Sequence, residues 1–288
     1  MGPRINLGYY PEKGVTRELL TKYDLGLEVL LQQPRTEQAA AEVADLVYSV
    51  HVHWLQADTG RYNFAAIDPE FRQLSLDIMK ASLAEGATHF PQAQVAVIHG
   101  APARWAGHPH PGGDGGDYDL FIAGLRELAD YAHDQGLRLV LENNNSYWVD
   151  RTGKFGWQDA RPSIDMRYFG CGPEDWLKAY DDAAHDNLKL CLDTAHAFTW
   201  AHHIADHDKR IEAVLTYFQR PEAIAHVHWN GHEAFEPDGR VDGHLNVGKG
   251  TIPTQIHRNV KALGVPVILE HYYGEEALVE ELAYIKSL

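Results

Sequence analysis

Cysteine is nearly absent from this chain. Only Cys171 and Cys191 occur in 288 residues, and Met is almost as scarce at three. Two thiols cannot build a disulfide framework, which suits a reducing compartment and a structural role for both. Cationic side chains are also short, with 25 Lys and Arg against 41 Asp and Glu, a formal net charge of −16. That balance leaves no basic footprint for nonspecific nucleic-acid binding or for an anionic membrane, although a local patch or bound metal can overrule it. No apolar run reaches the length of a membrane span, and the opening "MGPRINLGYYPEKG" has no apolar secretion core. A soluble, cytoplasmic protein is expected.

Nucleotide fingerprints are missing too. "YPEKG" after the first apolar run is no glycine-rich dinucleotide turn. In "VDGHLNVGKGTIP" (241–253) the lysine lacks the G-x-x-x-x-G-K-[ST] frame of a phosphate loop. Gly248 and Gly250 are expected to shape a turn into a helix starting near Pro253.

What the chain has in plenty is histidine, 18 residues, with seven Trp. Histidine is the commonest metal ligand and the proton carrier nearest neutrality. Short β-rich runs cover 5–9, 25–32, 48–54, 93–100, 137–143, 188–194, 224–230 and 265–271. Stretches of helical spacing alternate with them at 15–23, 36–46, 68–86, 118–135, 174–185, 206–219, 253–263 and 275–287. Thr36 reads as an N-cap, Pro173 as a first-turn residue and Gly136 as a helix stop.

Eight strand–loop–helix units predict one α/β domain over 1–288, a closed (β/α)8 TIM barrel with long loops at its C-terminal face, where such barrels keep their active sites. A doubly wound open sheet is the rival. Stretches 102–117 and 143–172 read as loop insertions, long enough to suggest a function.

The strand ends carry the chemistry. His51 and His53 end the third, His99 the fourth, Glu142 the fifth, and Asp193 the sixth, with His196 three residues on. His228 ends the seventh, Asp242 and His244 follow in its loop, and Glu270 ends the eighth. Any one of these alone reads best as a hydrogen-bonded structural residue. Six consecutive strands delivering imidazole or carboxylate to one rim read as a metal site, because buried carboxylates are costly unless paired or metal-bound.

At these residues the chain resembles the xylose-isomerase-like barrels, a superfamily that includes sugar isomerases and epimerases and endonuclease IV (AP endonuclease family 2). The likeness rests on "VLENNN", "LCLDTAHAF", "HVHWN", "DGHLNVGKGTI" and "VILEH", and runs from about the third strand to the end. The one-metal isomerase pattern implies Glu142, Asp193, His228 and Glu270 as ligands. The endonuclease IV pattern adds His51, His99, His196, Asp242 and His244, making a trinuclear zinc site. His51 fits that spacing better than His53.

Glu142 would bridge two ions, one completed by Asp193, His228 and Glu270 and another by His51 and His99. His196, Asp242 and His244 would hold the third. With four ligand carboxylates, three divalent ions leave the site near about +2, which welcomes a phosphate, and one ion leaves it near about −2. Zinc suits this ligand set, with manganese, iron or magnesium as alternatives.

The resemblance thus implies a metal-dependent hydrolase cleaving phosphoesters, with Glu142 and Glu270 as catalytic residues. The alternative is a divalent-metal sugar isomerase or epimerase in which the same two carboxylates move a proton. A non-catalytic metal-binding scaffold and a protein-interaction module are the readings outside catalysis.

Two departures weigh against duplex DNA. "LLQQPRTEQ" offers Arg35 alone where the nuclease inserts a loop, and "WNGHE" stands where it has Asn-Asp-Ser. The insertion after Glu142 mixes Trp148, Arg151, Lys154 and Trp157 with Phe155, Arg161, Arg167 and Tyr168, a composition suited to a stacked or anionic ligand or to a self-packed lid. A small phosphorylated or sugar-like substrate is expected, with nucleic acid the lesser candidate. His108 and His110 read as surface residues of a mobile glycine loop. Oligomeric state is not encoded in any of these features.

Overall fold

The structure, a computed structural model, describes residues 3–53, 55–56, 60–149 and 161–288. Eight parallel strands close into one barrel: β1 (Ile5–Gly8), β2 (Gly26–Leu30), β3 (Val47–His51), β4 (Val95–His99), β5 (Arg138–Glu142), β6 (Leu188–Asp193), β7 (Ile224–His228) and β8 (Val267–Leu269). Each strand pairs with its neighbours in chain order, and β1 closes the ring by pairing β8 through Ile5 and Val267. The open-sheet alternative is thereby excluded.

Every expected strand is present, somewhat shorter than its apolar run, because the run continues into the loop once pairing stops. Residue 54, at the end of the expected third strand, lies outside the described residues. Nine α-helices surround the barrel among the described residues: α1 (Arg17–Tyr23), α2 (Arg35–Val43), α3 (Pro69–His89), α4 (Tyr118–Asp134), α5 (Pro173–Ala183), α6 (Thr194–Ala201), α7 (His207–Leu215), α8 (Thr254–Leu263) and α9 (Glu275–Ser287).

The ninth, α6, had no counterpart in the periodicity. Seven of its eight residues are buried, so no polar face marks it as amphipathic. Thr36 is also not the N-cap of α2. That helix starts at Arg35 after Pro34, and Thr36 is buried in its first turn. Of the other end signals, Gly136 and Pro173 hold, and α4 gains an N-cap not named from the sequence. The Asp117 side chain accepts the Leu120 N–H at the start of α4, Gly136 at φ 76° follows its last turn, and Pro173 opens α5.

Period-2 alternation divides the strand residues between two cores. Leu139 and Leu141 of β5, with Leu190 and Leu192 of β6, face the helices. Val95, Val97, Val140 and Cys191 fill the barrel interior. The same inward phase carries Val97 to His99 on β4, Val140 to Glu142 on β5 and Cys191 to Asp193 on β6, so candidate ligands are the last inward residues of their strands.

The two insertions lean on each other. Pro102–Trp105 pairs antiparallel with Met166–Tyr168, and Trp148–Val149 with Arg161–Pro162. His108 and His110 are not loose surface residues. His108 is buried, and the His110 ring stacks on Phe71 with centroids 4.1 Å apart.

The Asp242-to-Pro253 segment ends in the expected glycine turn, with Gly248 at φ 88° and Gly250 at φ 76°. Its Lys249 pairs with Glu280 of α9 at 3.4 Å. Within the described residues, this loop is tied to helix α9.

Candidate metal centre

Glu142 stands at the middle of the rim. Its Oε2 lies 3.1 Å from both His51 Nε2 and His99 Nε2, and its Oε1 lies 3.1 Å from both His196 Nδ1 and His228 Nδ1. The two oxygens of one carboxylate therefore face two separate sets of donors. His228 Nδ1 also lies 3.1 Å from Glu270 Oε2 and 4.0 Å from Asp193 Oδ2. On the open side, Asp242 reaches His244 Nε2 with Oδ1 at 3.0 Å and His196 Nε2 with Oδ2 at 3.1 Å.

Among the described residues five groups of donors have ligand atoms within 4.8 Å of one another. Two reach below the rim, Glu28 with His51, His228 and Glu270, and Cys191 with His226 and His228. Three contain only rim residues: His51, His99 and Glu142; Glu142, Asp193, His228 and Glu270; and Asp193, His196 and His244. Asp242 adjoins the third through the two histidines it touches. All nine residues named from the sequence are brought together. Asp193 is shared between two groups, a role the sequence pattern gave only to Glu142. His53, half-buried and held low in pKa by burial and by the nearby His51, belongs to none of the three.

Local structure explains the Asp-x-x-His spacing. Asp193 is the N-cap of α6, its Oδ1 accepting the His196 N–H at 2.7 Å. That leaves Oδ2 for the rim, where Asn230 donates to it at 3.0 Å. His196 Nδ1–H donates to the Asn143 carbonyl at 2.8 Å, so a neutral His196 presents its Nε2 lone pair toward Asp242 and His244.

The electrostatics are those of a cation site. Burial disfavours charge on His196, but Asp193 and Asp242 outweigh it and hold the imidazole well above its usual range. Burial likewise opposes charge on His244, and the Asp242, Glu270 and Asp193 carboxylates prevail, carrying it up to about 10. Glu270 is pulled down to about 2, chiefly by His228 against the cost of burial. Asp193 is pushed up to about 7 by burial, reinforced by Glu270 and Glu142 and opposed by His196 and His244. Imidazolium protons here balance the carboxylates, the role divalent ions would take. Oxygen and nitrogen donors in groups of three and four fit such ions.

The substrate-side residues divide. Trp148 is buried, donates from Nε1 to the Thr199 carbonyl at 2.9 Å, and lies 5.0 Å under the Arg240 guanidinium. Arg151, Lys154 and Trp157, with Phe155, lie outside the described residues. Arg35 pairs with Glu12 at 3.5 Å and lies over Tyr10, whose hydroxyl donates to the Glu270 carbonyl at 2.9 Å, so it stands one residue removed from the rim. A cavity of about 240 Å³ runs from Asp242 past Arg240 to Tyr147 and Trp148. Arg240 was missed, its only signal being a basic residue two positions before Asp242.

Also missed was a polar layer below the rim, Glu28 and His226, and the buried chain from Glu281 through His271 to Asn230. Glu28 in "LGLEVLL", a lone acid in an apolar run, and the alternation in "HVH" were the available signals.

The fold and the rim define a TIM barrel that gathers side chains able to hold a metal ion at the C-terminal ends of its strands. More specifically, a family model described as a xylose isomerase-like TIM barrel matches residues 18–288, and the chain belongs to that family. A probable endonuclease 4 from Thermoplasma acidophilum is 28% identical over 109 residues, which span 37% of this chain and 38% of that protein. A D-tagatose 3-epimerase-like protein superposes with a TM-score of 0.65 at 19% identity, over 99% of this chain and 96% of that one. Endonuclease IV from Thermus thermophilus gives 0.61 at 20% identity, over 99% and 98%. The named relatives are enzymes of two kinds sharing one barrel. Among the described residues no helix is long and apolar enough to cross a membrane.

Proposed function

We propose that the chain is a metal-dependent phosphoester hydrolase that holds up to three divalent ions, zinc foremost, and acts on a small phosphorylated or sugar-like substrate rather than on duplex DNA. The observation that carries this reading is the third donor group. Asp242 reaches His196 at 3.1 Å and His244 at 3.0 Å, and none of the three is needed to complete the one-ion group of Glu142, Asp193, His228 and Glu270.

His51, His99 and Glu142 would hold one ion; Glu142, Asp193, His228 and Glu270 a second; and His196, Asp242 and His244, with Asp193 at its edge, a third. Bound there, such ions supply Lewis acidity toward phosphoryl oxygens and lower the pKa of water. Glu270, with 17% of its side chain exposed against 1% for Glu142, faces the opening and orients the attacking water as a hydrogen-bond acceptor. Arg240 offers a guanidinium to a phosphate in the cavity beside Asp242, and Tyr147 and Trp148 wall it for a compact organic group. The charge of −16 favours a small ligand over a duplex.

The isomerase or epimerase reading keeps one specific support: Glu142, Asp193, His228 and Glu270 form a complete one-ion group by themselves. Incubating the zinc- or manganese-loaded protein with phosphomonoesters, phosphodiesters and an abasic-site duplex, and separately with ketoses in D2O, divides the readings. Hydrolysis of small phosphoesters without deuterium incorporation is expected. Incorporation into a sugar carbon with no phosphoester cleavage would replace the hydrolase by the isomerase.

A further inference from the structure

Beneath the rim, a carboxylate stands where a TIM barrel normally packs apolar side chains. Glu28 of β2 is 4% exposed, and its two neighbours on β7, His226 and His228, are both 0%. Its Oε2 accepts from Ser49 Oγ at 2.7 Å and from His226 Nε2 at 3.0 Å. Its Oε1 lies 3.0 Å from His228 Nε2, within hydrogen-bonding reach though oblique to the N–H direction. An anion in the barrel interior is strongly disfavoured unless it is paired.

A neutral imidazole has one N–H and one lone pair. When His228 Nε2–H points down at Glu28, Nδ1 is left as the lone pair, and Nδ1 is the atom 3.1 Å from both Glu142 Oε1 and Glu270 Oε2. We propose that Glu28 is a positioning residue whose carboxylate fixes His226 and His228 as Nε2–H tautomers and thereby aims His228 Nδ1 at the ion held with Glu142, Asp193 and Glu270.

The Glu28 carboxylate, 3.0 Å from the ring, favours positive charge on it and so favours Nδ1 as a donor to a cation. It adds a fifth carboxylate to the four at the rim, so a three-ion centre carries about +1 rather than +2. The inference rests on His228 as an ion ligand, which the hydrolase and isomerase readings share.

The test is Glu28→Gln in the full chain. Glutamine keeps the volume but offers one acceptor and one NH2 group, so His226 or His228 must switch tautomer. Zinc retention against a graded chelator is expected to fall about 10- to 100-fold at one ion per chain, the others holding as in the wild type. Nitrogen-15 spectra of the zinc-loaded wild type are expected to show His228 with its proton on Nε2. Ser49→Ala, which leaves the His228 contact in place, is expected to lower stability without altering zinc retention.

Equal retention in wild type and Glu28→Gln, or a zinc-loaded His228 protonated on Nδ1, overturns the proposal. The spectrum decides it even if the variant does not fold. A wild type that binds no divalent ion would overturn the metal centre itself, an outcome distinguishable from failure of the Glu28 role alone.

Discussion

Replacing Glu142 by alanine is expected to remove at least about one ion per chain and to lower phosphoester hydrolysis by at least about 10³-fold. Both of its oxygens are engaged, Oε2 by His51 and His99 and Oε1 by His196 and His228, each at 3.1 Å. The other donors of the first group are two histidines, too few to retain an ion without the carboxylate. Loss of a single charge stabiliser in an enzyme site costs about 10²- to 10³-fold, and Glu142 serves two groups.

Truncation also leaves buried imidazoles without the anion that balances them, so the ion-free variant should be destabilised as well. Elemental analysis and hydrolysis rates on the folded fraction check this together. A variant that keeps its full metal content would show that Glu142 does not bridge.

Asp242→Ala is expected to behave differently, because Asp242 lies on the exposed rim. About one ion per chain should be lost, hydrolysis should fall by at least about 10²-fold, and the folded state should persist. Asp242 contacts only His196 and His244 among the nine rim residues, so the first two donor groups remain intact. Rates, metal content and a thermal melt on the same preparation separate loss of the third ion from loss of fold. Full hydrolysis with unchanged metal content would remove the third group and return the protein to a one- or two-ion scheme.

How far such residues can be read from the sequence depends on what kind of regularity places them. Strand ends could be read because period-2 alternation forces the last inward residue of each strand onto the rim, and Glu142, Asp193 and His228 follow it. Asp242 and His244 lie on a loop without periodicity; their types and spacing marked them as candidate ligands, and only the resemblance placed them in a third ion site. The apolar run around Glu28 marked it as buried but could not name its partners, which are 21, 198 and 200 residues away.

Helix α6 escaped for a related reason. Wedged behind the rim with almost all of its residues buried, it shows no polar face to reveal its period. The pairing of the two insertions through Pro102–Trp105 and Met166–Tyr168 likewise depends on a contact some sixty residues apart, written in neither segment alone.

The number of ions is the quantity on which the chemistry turns, and elemental analysis of protein purified without chelator or a metal-binding tag measures it directly. About three zinc, manganese or iron atoms per chain is the expected result. A reproducible single ion would contradict the trinuclear centre and leave Glu142, Asp193, His228 and Glu270 as the site of an isomerase.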